Sequence, residues 1–140
     1  MDQVIDDRDA RLLEILQKQG RLPVREIAGK AGLRPSTCHQ RIQRLVKNGV
    51  IERFTVKLND SKVGQGFTAF MLISSRKVIP ARFFEQPQVK ECYGITGEYD
   101  LLLKLKFGDV SGFNEFLISM RKNKGIVKTL TMVSTIKIKD

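Results

Sequence analysis

Residues 24–51, VREIAGKAGLRPSTCHQRIQRLVKNGVI, decide the fold of the first part of this chain. The pattern predicts two helices, over residues 24–31 and about 35–48, with a tight turn between them. Glycine adopts the left-handed conformation that ends a helix without strain, so Gly32 and Gly49 are the expected helix stops. This order of elements is typical of a helix-turn-helix unit.

The second of these helices has two chemically different faces when its residues are placed about 100° apart. Its apolar face, expected to pack on the other helices, holds Cys38, Ile42, Leu45 and Val46. Its outer face and edges hold Ser36, Thr37, His39, Gln40, Arg41, Gln43, Arg44 and Lys47. No acidic residue lies between Glu26 and Glu52 to oppose the positive charge.

That outer face suits a helix that lies in the major groove of DNA. Serine, threonine, glutamine and arginine hydrogen-bond base edges, and arginine and lysine neutralise phosphates. We therefore predict base contacts from residues 36–41 and phosphate contacts from Arg44 and Lys47. The alternative is an ordinary solvated helix face, which any surface helix has.

The composition agrees with a nucleic-acid partner. A formal net charge of +10 and a pI near 9.9 on 140 residues favour attraction to polyphosphate, although a surplus of surface lysine would give the same values. The length and a hydrophobic content of 41% allow one domain or two small ones.

No feature of the sequence indicates a membrane, an exported protein or a cofactor. Residues 1–7 lack the basic start and apolar run of a signal peptide, and the longest apolar stretches are far below the roughly 20 residues of a membrane helix. Cys38 and Cys92 stand alone beside a single histidine, so we expect no structural zinc site and two buried thiols. The expectation is a cytoplasmic protein without a metal or other cofactor.

The remaining pattern divides the chain into two domains. A helix over residues 6–19 completes a three-helix N-terminal domain, and the alternation in 50–58 predicts a strand at its end. The predicted domain bounds are 1–58 and 67–140, with a polar linker at 59–66. Beyond the linker we predict a strand at 67–75, a helix at 80–86, strands at 89–95 and 99–107, a helix at 110–122 and a strand at 126–139. This βαββαβ order is the ferredoxin-like arrangement, so the fold class is α+β with a winged-helix-like first domain.

These residues resemble the Lrp/AsnC, or feast/famine, family of prokaryotic transcription regulators over nearly the whole chain. The N-terminal signature lies at residues 5–13, 20–21, 26–28, 32–33, 36, 41–45 and 49–51, and the C-terminal signature at 92–100 and 129–131. The resemblance implies a DNA-binding domain joined to a ferredoxin-like domain that forms dimers, often assembled into octamers. It also implies that amino acids bind at contacts between those dimers.

The resemblance also assigns residues to the two functions. The recognition helix falls on residues 36–48, and the effector-response region on Gly97, Tyr99, Asp100, Thr131, Met132, Val133 and Ser134. A free amino acid carries an ammonium and a carboxylate, so its site needs an acceptor such as Asp100 and donors such as the Thr131 hydroxyl. The alternative is that Gly97 only permits a hairpin turn and that Asp100 is an acid at a strand end.

The chain departs from the family pattern at two places. Arg34-Pro35 stands where relatives usually carry a serine cap, so the cap comes from Ser36 or is weak, and Arg34 is free to contact phosphate instead. The helix before Pro87 is also shorter than is common in the family.

The sequence therefore predicts a sequence-specific DNA-binding transcription regulator, modulated by a small effector that we expect to be an amino acid. A homodimer or larger homo-oligomer would prefer inverted-repeat DNA. The alternative is a DNA-architectural protein of low specificity that needs no effector. We expect no enzymatic activity, because the chain has no nucleophile elbow, phosphate loop or second histidine, and the haem-pathway decarboxylases that resemble this family use histidines.

Overall fold

The computed structural model describes residues 5–140 and divides into two compact units, one ending at Lys57 and the other beginning at Leu58. Residues 1–4, part of the segment in which we expect no signal peptide, lie outside the described residues. Among residues 5–140, no helix is long and apolar enough to cross a membrane.

The N-terminal unit is a bundle of three helices, as predicted. Helix α1 spans Asp7–Lys18, α2 spans Val24–Ala31 and α3 spans Pro35–Lys47. The buried side chains between them are Leu12, Ile15, Ile27, Ala28 and Cys38. Gly32 ends α2 with φ 68°, in the left-handed region, and this turn sets the angle between α2 and α3.

A pair of acidic side chains fixes the start of α1. The Asp9 backbone N–H donates to Asp6 Oδ1 at 2.8 Å, and the Asp6 N–H donates to Asp9 Oδ2 at 3.4 Å. This reciprocal arrangement is a capping box, which satisfies backbone donors that a helix start otherwise leaves unpaired. It also fixes two carboxylates on one side of the first turn.

The strand predicted at residues 50–58 is wrong. Within the described residues, 52–59 make no strand pairing, and Phe54, Val56 and Leu58 are exposed. The alternation of apolar and polar residues meets only half of the requirement for a strand, because the backbone also needs a hydrogen-bonded partner.

The second unit has the predicted βαββαβ order. Its elements are β1 (Phe67–Ser75), α4 (Ala81–Phe84), β2 (Val89–Gly94), β3 (Leu101–Phe107), α5 (Val110–Arg121) and β4 (Ile126–Val133). The strands form one antiparallel sheet in the order β2-β3-β1-β4. The α+β fold class is therefore confirmed.

Residues 59–66, the predicted linker, lie in this second unit. They contain a short 3-10 turn at Ser61–Val63, and Asp60 Oδ1 accepts a hydrogen bond from Lys106 Nζ of β3 at 2.8 Å. That contact holds the pKa of the Asp60 carboxyl below its usual value.

Strand β4 ends at Val133, six residues before its predicted end at 139. Its partner β1 begins at Phe67, and the backbone bond from Ser134 N to Thr68 O at 2.9 Å lies near the end of their contact. Beyond that point the alternating residues Ile136 and Ile138 are exposed, because β1 has no further backbone to offer.

One face of the sheet packs on α4 and α5, and the other forms an open face. Residues directly opposite each other on paired strands share a face, so the register assigns both sides. The helix-covered core includes Met71, Ile73, Leu103, Leu105 and Phe116. The open face carries Phe70, Leu72, Tyr93, Leu102, Lys104, Lys106, Leu130 and Met132.

The two cysteines differ in environment. Cys38 is buried as predicted, and this burial raises the pKa of its thiol. The prediction that Cys92 is buried is wrong, since it is exposed. Cys92 lies on β2, an edge strand with a neighbouring strand on one side only. Fewer residues surround an edge strand than a central strand, so its side chains are more exposed.

Candidate nucleic-acid interface and effector region

The first turn of α3 has no side-chain cap. Arg34 occupies the cap position with φ −71° and ψ 145°, Pro35 follows in the first turn, and no side chain accepts a hydrogen bond from the cap region. Ser36 is therefore not the cap, and the second alternative, a weak helix start, is the one observed. Proline suits this position because its missing N–H would have had no partner.

Most of the predicted DNA-contacting side chains lie on the solvent side of α3. The exposed members are Arg34, Ser36, His39, Gln40, Arg44 and Lys47. Thr37 and Arg41 are partly buried at the edge of this surface. We call the exposed residues of this set the α3 outer face. Their contact with DNA stays a prediction.

The Arg41 guanidinium is directed at helix α1. Its Nη1 donates to Asp6 Oδ1 at 2.9 Å, to Asp6 Oδ2 at 2.7 Å and to Asp9 Oδ1 at 2.9 Å, and the side chain is only 18% exposed. The hydrogen bond from Arg41 holds the pKa of the Asp6 carboxyl below its usual value. The sequence grouped Arg41 with the base readers, whereas the contacts observed here are with α1.

Arg44 shares the same acidic partner. Its Nη2 donates to Asp9 Oδ2 at 2.8 Å, while about half of the side chain stays exposed. The interpretation of this helix as unopposed by acids is therefore wrong in three dimensions. Asp6 and Asp9 are three residues apart at the start of α1, and Arg41 and Arg44 are three residues apart on α3. This matched spacing is the sequence signal for the ion pairs, and the sequence interpretation did not use it.

The predicted apolar face of α3 is only partly buried. Leu45 is 1% exposed and Cys38 is fully buried, but Val46 is 43% exposed, so its assignment to the core was wrong. Successive residues on a helix are about 100° apart, and an arc that holds both Leu45 and Val46 is wider than the surface that α1 and α2 cover.

The effector-response residues 97–100 form a turn at the end of β1. Gly97 has φ 113°, which a side chain would strain, and the Ile95 N–H donates to Asp100 O at 2.9 Å. Asp100 Oδ2 accepts from the Ser75 N–H at 2.8 Å, and the Asp100 N–H donates to Ile73 O at 2.8 Å. Asp100 thus contacts the end of strand β1 through both its side chain and its backbone.

Tyr99 lies beside a cation in the same region. Lys128 Nζ is 5.0 Å from the centroid of the Tyr99 ring and also pairs with the Glu98 carboxylate. The hydrogen bond to Glu98 raises the pKa of Lys128 above its usual value. A cation over an aromatic face is a favourable contact, and here it connects the turn to β4.

The other effector-response residues lie further along β4. Thr131 is opposite Met71, Met132 is opposite Phe70 and Val133 is opposite Ala69, while Ser134 bonds to Thr68. The Asp100 N–H donates to Ile73 O, and Ile73 is opposite Thr129, so these residues are two to five positions further along β4, or about 7 to 17 Å along the strand. The described chain therefore does not bring the two predicted groups into one site.

Among the described residues, no group of three or more histidine, cysteine, aspartate and glutamate side chains could hold a metal ion.

Comparison with known proteins matches each of the two units to a family model. Residues 5–52 match the family model for winged helix-turn-helix DNA-binding, and residues 68–140 match that for the Lrp/AsnC ligand binding domain. The chain is 36% identical over 134 residues to the HTH-type transcriptional regulator FL11 of Pyrococcus furiosus, a match that covers 93% of this chain and 89% of that protein.

Solved structures give the same result. A transcriptional regulator of Neisseria meningitidis, solved as its L-Met complex, is 29% identical with a TM-score of 0.90 and covers 98% of this chain and 94% of its own. An AsnC family transcriptional regulator from Agrobacterium tumefaciens is 29% identical with a TM-score of 0.85, over 96% of this chain and 93% of its own. The relatives are transcription regulators, not enzymes. The chain therefore belongs to the Lrp/AsnC family of DNA-binding transcription regulators.

Proposed function

We propose that this regulator recognises specific DNA sequences in the cytoplasm through the α3 outer face, and that a small effector, an amino acid, modulates its assembly or DNA affinity. The observation that carries the proposal is the asymmetry of α3. Its inner side buries Cys38 and Leu45, while its outer side presents polar and cationic groups to solvent. A helix with one packed side and one such exposed side can enter a major groove without unfolding.

Two positions on the α3 outer face distinguish base contacts from phosphate contacts. We expect Gln40→Ala to change sequence preference, because the glutamine amide can hydrogen-bond an adenine edge. We expect Lys47→Ala to weaken binding to all DNA and to reduce the salt slope by about 1, because one phosphate contact is lost. Binding of each variant to operator and random DNA over a salt series measures both effects. An equal loss on the two DNAs would remove Gln40 from the base readers.

The open face of the sheet supports association of two chains. Its centre is apolar, with Leu72, Leu102, Leu130 and Met132, and Lys104 and Lys106 lie on the same face. Covering this surface with an identical surface would bury the apolar centre on both chains. Such a homodimer fixes the spacing of two α3 helices and so prefers two half-sites about one DNA turn, roughly 34 Å, or a multiple apart. Assembly of dimers into an octamer would multiply those contacts.

The effector site is proposed to need more than one chain. Asp100 and the turn at Gly97 are separated along the sheet from Thr131–Ser134, which supports a site where the turn of one chain meets β4 of another. Asp100 has only Oδ2 hydrogen-bonded among the described residues, so Oδ1 can accept from a ligand ammonium. The N. meningitidis relative was solved with L-Met, which supports an amino acid as the class of ligand.

Replacing Asp100 by asparagine tests its part in effector binding. Asparagine retains an oxygen that can accept from the Ser75 N–H, so the fold should persist, but it cannot supply the negative charge that pairs with an ammonium. We expect the effector response to fall at least tenfold, measured as the shift in operator affinity upon adding amino acids. Asp109→Asn is the matched control, because Asp109 also accepts a backbone N–H, from Gly112 at 2.9 Å. An Asp100→Asn protein with an unchanged response would leave Asp100 a purely structural acid.

Selection of bound genomic fragments, with and without a mixture of amino acids, tests the whole proposal. Enrichment of a shared motif supports specific recognition, and a change in the enriched set upon adding amino acids supports effector control. A ratio of operator to random binding near one at physiological salt would favour the architectural alternative, for which the net charge of +10 is the argument.

A further inference from the structure

We propose that Asp9 is a positioning residue for the recognition helix. Its carboxylate fixes the Arg41 and Arg44 side chains against α1, so that the protein distinguishes its operator from other DNA more sharply and binds random DNA less strongly. The inference rests on the proposed sequence-specific function.

The geometry around Asp9 is that of a shared, buried acceptor. Asp9 is 1% exposed, yet both of its oxygens are occupied by arginines of another helix, at 2.9 Å from Arg41 and 2.8 Å from Arg44. It is the buried charged residue among the described residues. Burying a carboxylate without partners is costly, and the two guanidinium groups supply hydrogen bonds to both of its oxygens.

Stability alone does not account for such an arrangement. Removing two charges from water costs about as much as their attraction returns, and a buried ion pair is often no more stabilising than apolar residues of similar volume. Charge-assisted hydrogen bonds are directional, however, and Asp9 forms one to each of two successive positions on α3. Such bonds oppose rotation and sliding of α3 along α1, because either movement would separate the arginines from Asp9.

The same contacts reduce the positive charge available to DNA. Arg41 is paired with Asp6 and Asp9, and Arg44 is paired with Asp9, whereas Arg34 and Lys47 are exposed. Affinity for random DNA depends on how many phosphates are neutralised, so an acid beside the interface lowers it. Specific binding needs side chains at fixed positions, and Asp9 helps to fix the positions of Arg41 and Arg44.

Asp9→Asn separates these two effects. Asparagine keeps an acceptor oxygen for the capping box but removes the negative charge. We expect random-DNA affinity to rise several-fold with a salt slope steeper by about 1, because a freed guanidinium reaches a phosphate. We expect the ratio of operator to random affinity to fall at least tenfold, about the effect of one lost base contact.

Glu14→Gln is the control variant. It makes the same change of charge on the same helix, but Glu14 pairs only with Arg11 and Lys18 and contacts no residue of α3 among the described contacts. We expect this variant to keep the wild-type ratio. If Glu14→Gln lowered the ratio as much as Asp9→Asn, net charge rather than positioning would be the cause, and the proposal would be overturned.

A variant that removes both partners guards against loss of the fold. Asp9→Asn leaves the largely buried Arg41 with Asp6 as its one acid, whereas Asp9→Asn combined with Arg41→Gln leaves only the half-exposed Arg44 without its acid, where water can solvate it, so this variant should unfold at a temperature near that of the wild type. Its ratio should still be low, because the link between α1 and α3 is gone. A wild-type ratio in either folded variant overturns the role of Asp9 alone. A wild-type protein that itself shows no preference for any fragment overturns the proposed function as well.

Discussion

Leu45→Ala is expected to destabilise the N-terminal unit by about 3 kcal/mol and to abolish most DNA binding at 37 °C. Leu45 is a buried residue of α3, 1% exposed, so its truncation leaves a cavity, and buried leucine-to-alanine changes cost about 2 to 5 kcal/mol. A unit of this size has a total stability of only about 3 to 8 kcal/mol. Urea unfolding followed by helical circular dichroism measures the loss, and operator binding measures its consequence.

Val46→Ala is the adjacent control. The sequence placed both residues on the buried face of α3, but Val46 is 43% exposed, so we expect its truncation to cost less than about 1 kcal/mol and to leave DNA binding close to that of the wild type. Equal losses for the two variants would mean that Val46 is covered in solution.

The bounds of the helices could be predicted because the signals that set them are local. Asp6 caps α1, Gly32 ends α2 and Gly49 follows α3 with φ 75°, each within a few residues of the helix that it limits. The βαββαβ order was predictable for the same reason, since apolar periodicity changes with each element. The fold class follows from that order together with the family resemblance.

The contacts of the site could not be predicted in the same way, because they join residues that are distant in sequence. Arg41 lies 32 residues after Asp9, and Asp100 lies 25 residues after Ser75, whose N–H it accepts. Periodicity states which face of an element a residue is on, but not which side chain on another element it meets. The functional assignment of a charged residue depends on that second fact.

The error at residues 50–58 has a related cause. Alternation predicts that a segment is suited to a sheet, whereas a sheet requires a second strand at hydrogen-bonding distance. In the described chain, no second strand pairs with the segment that contains Phe54, Val56 and Leu58. Residues 134–139 do not extend β4 for the same reason, because the antiparallel partner β1 begins only at Phe67 and has no earlier strand residues to pair with them.

Leu130→Glu is expected to convert the proposed dimer into monomers and to lower operator affinity by two orders of magnitude or more. Leu130 lies on the open face of the sheet opposite Leu72, beside Met132, and a carboxylate there would be buried in the apolar centre of the contact when two such faces meet. A monomer engages one half-site at a time, so the gain of about 10²- to 10⁴-fold from linked binding is lost. Sedimentation equilibrium gives the mass, and titration of a two-half-site operator gives the affinity.

Ile118→Glu is the matched control for that experiment. Ile118 lies on α5, on the helix-covered side of the sheet, and is about as exposed as Leu130, at 48% against 46%, so the two variants make the same change of charge and of apolar surface. We expect Ile118→Glu to keep the mass and the operator affinity of the wild type. A Leu130→Glu protein that keeps the wild-type mass at micromolar concentration would exclude the open face as the dimer contact.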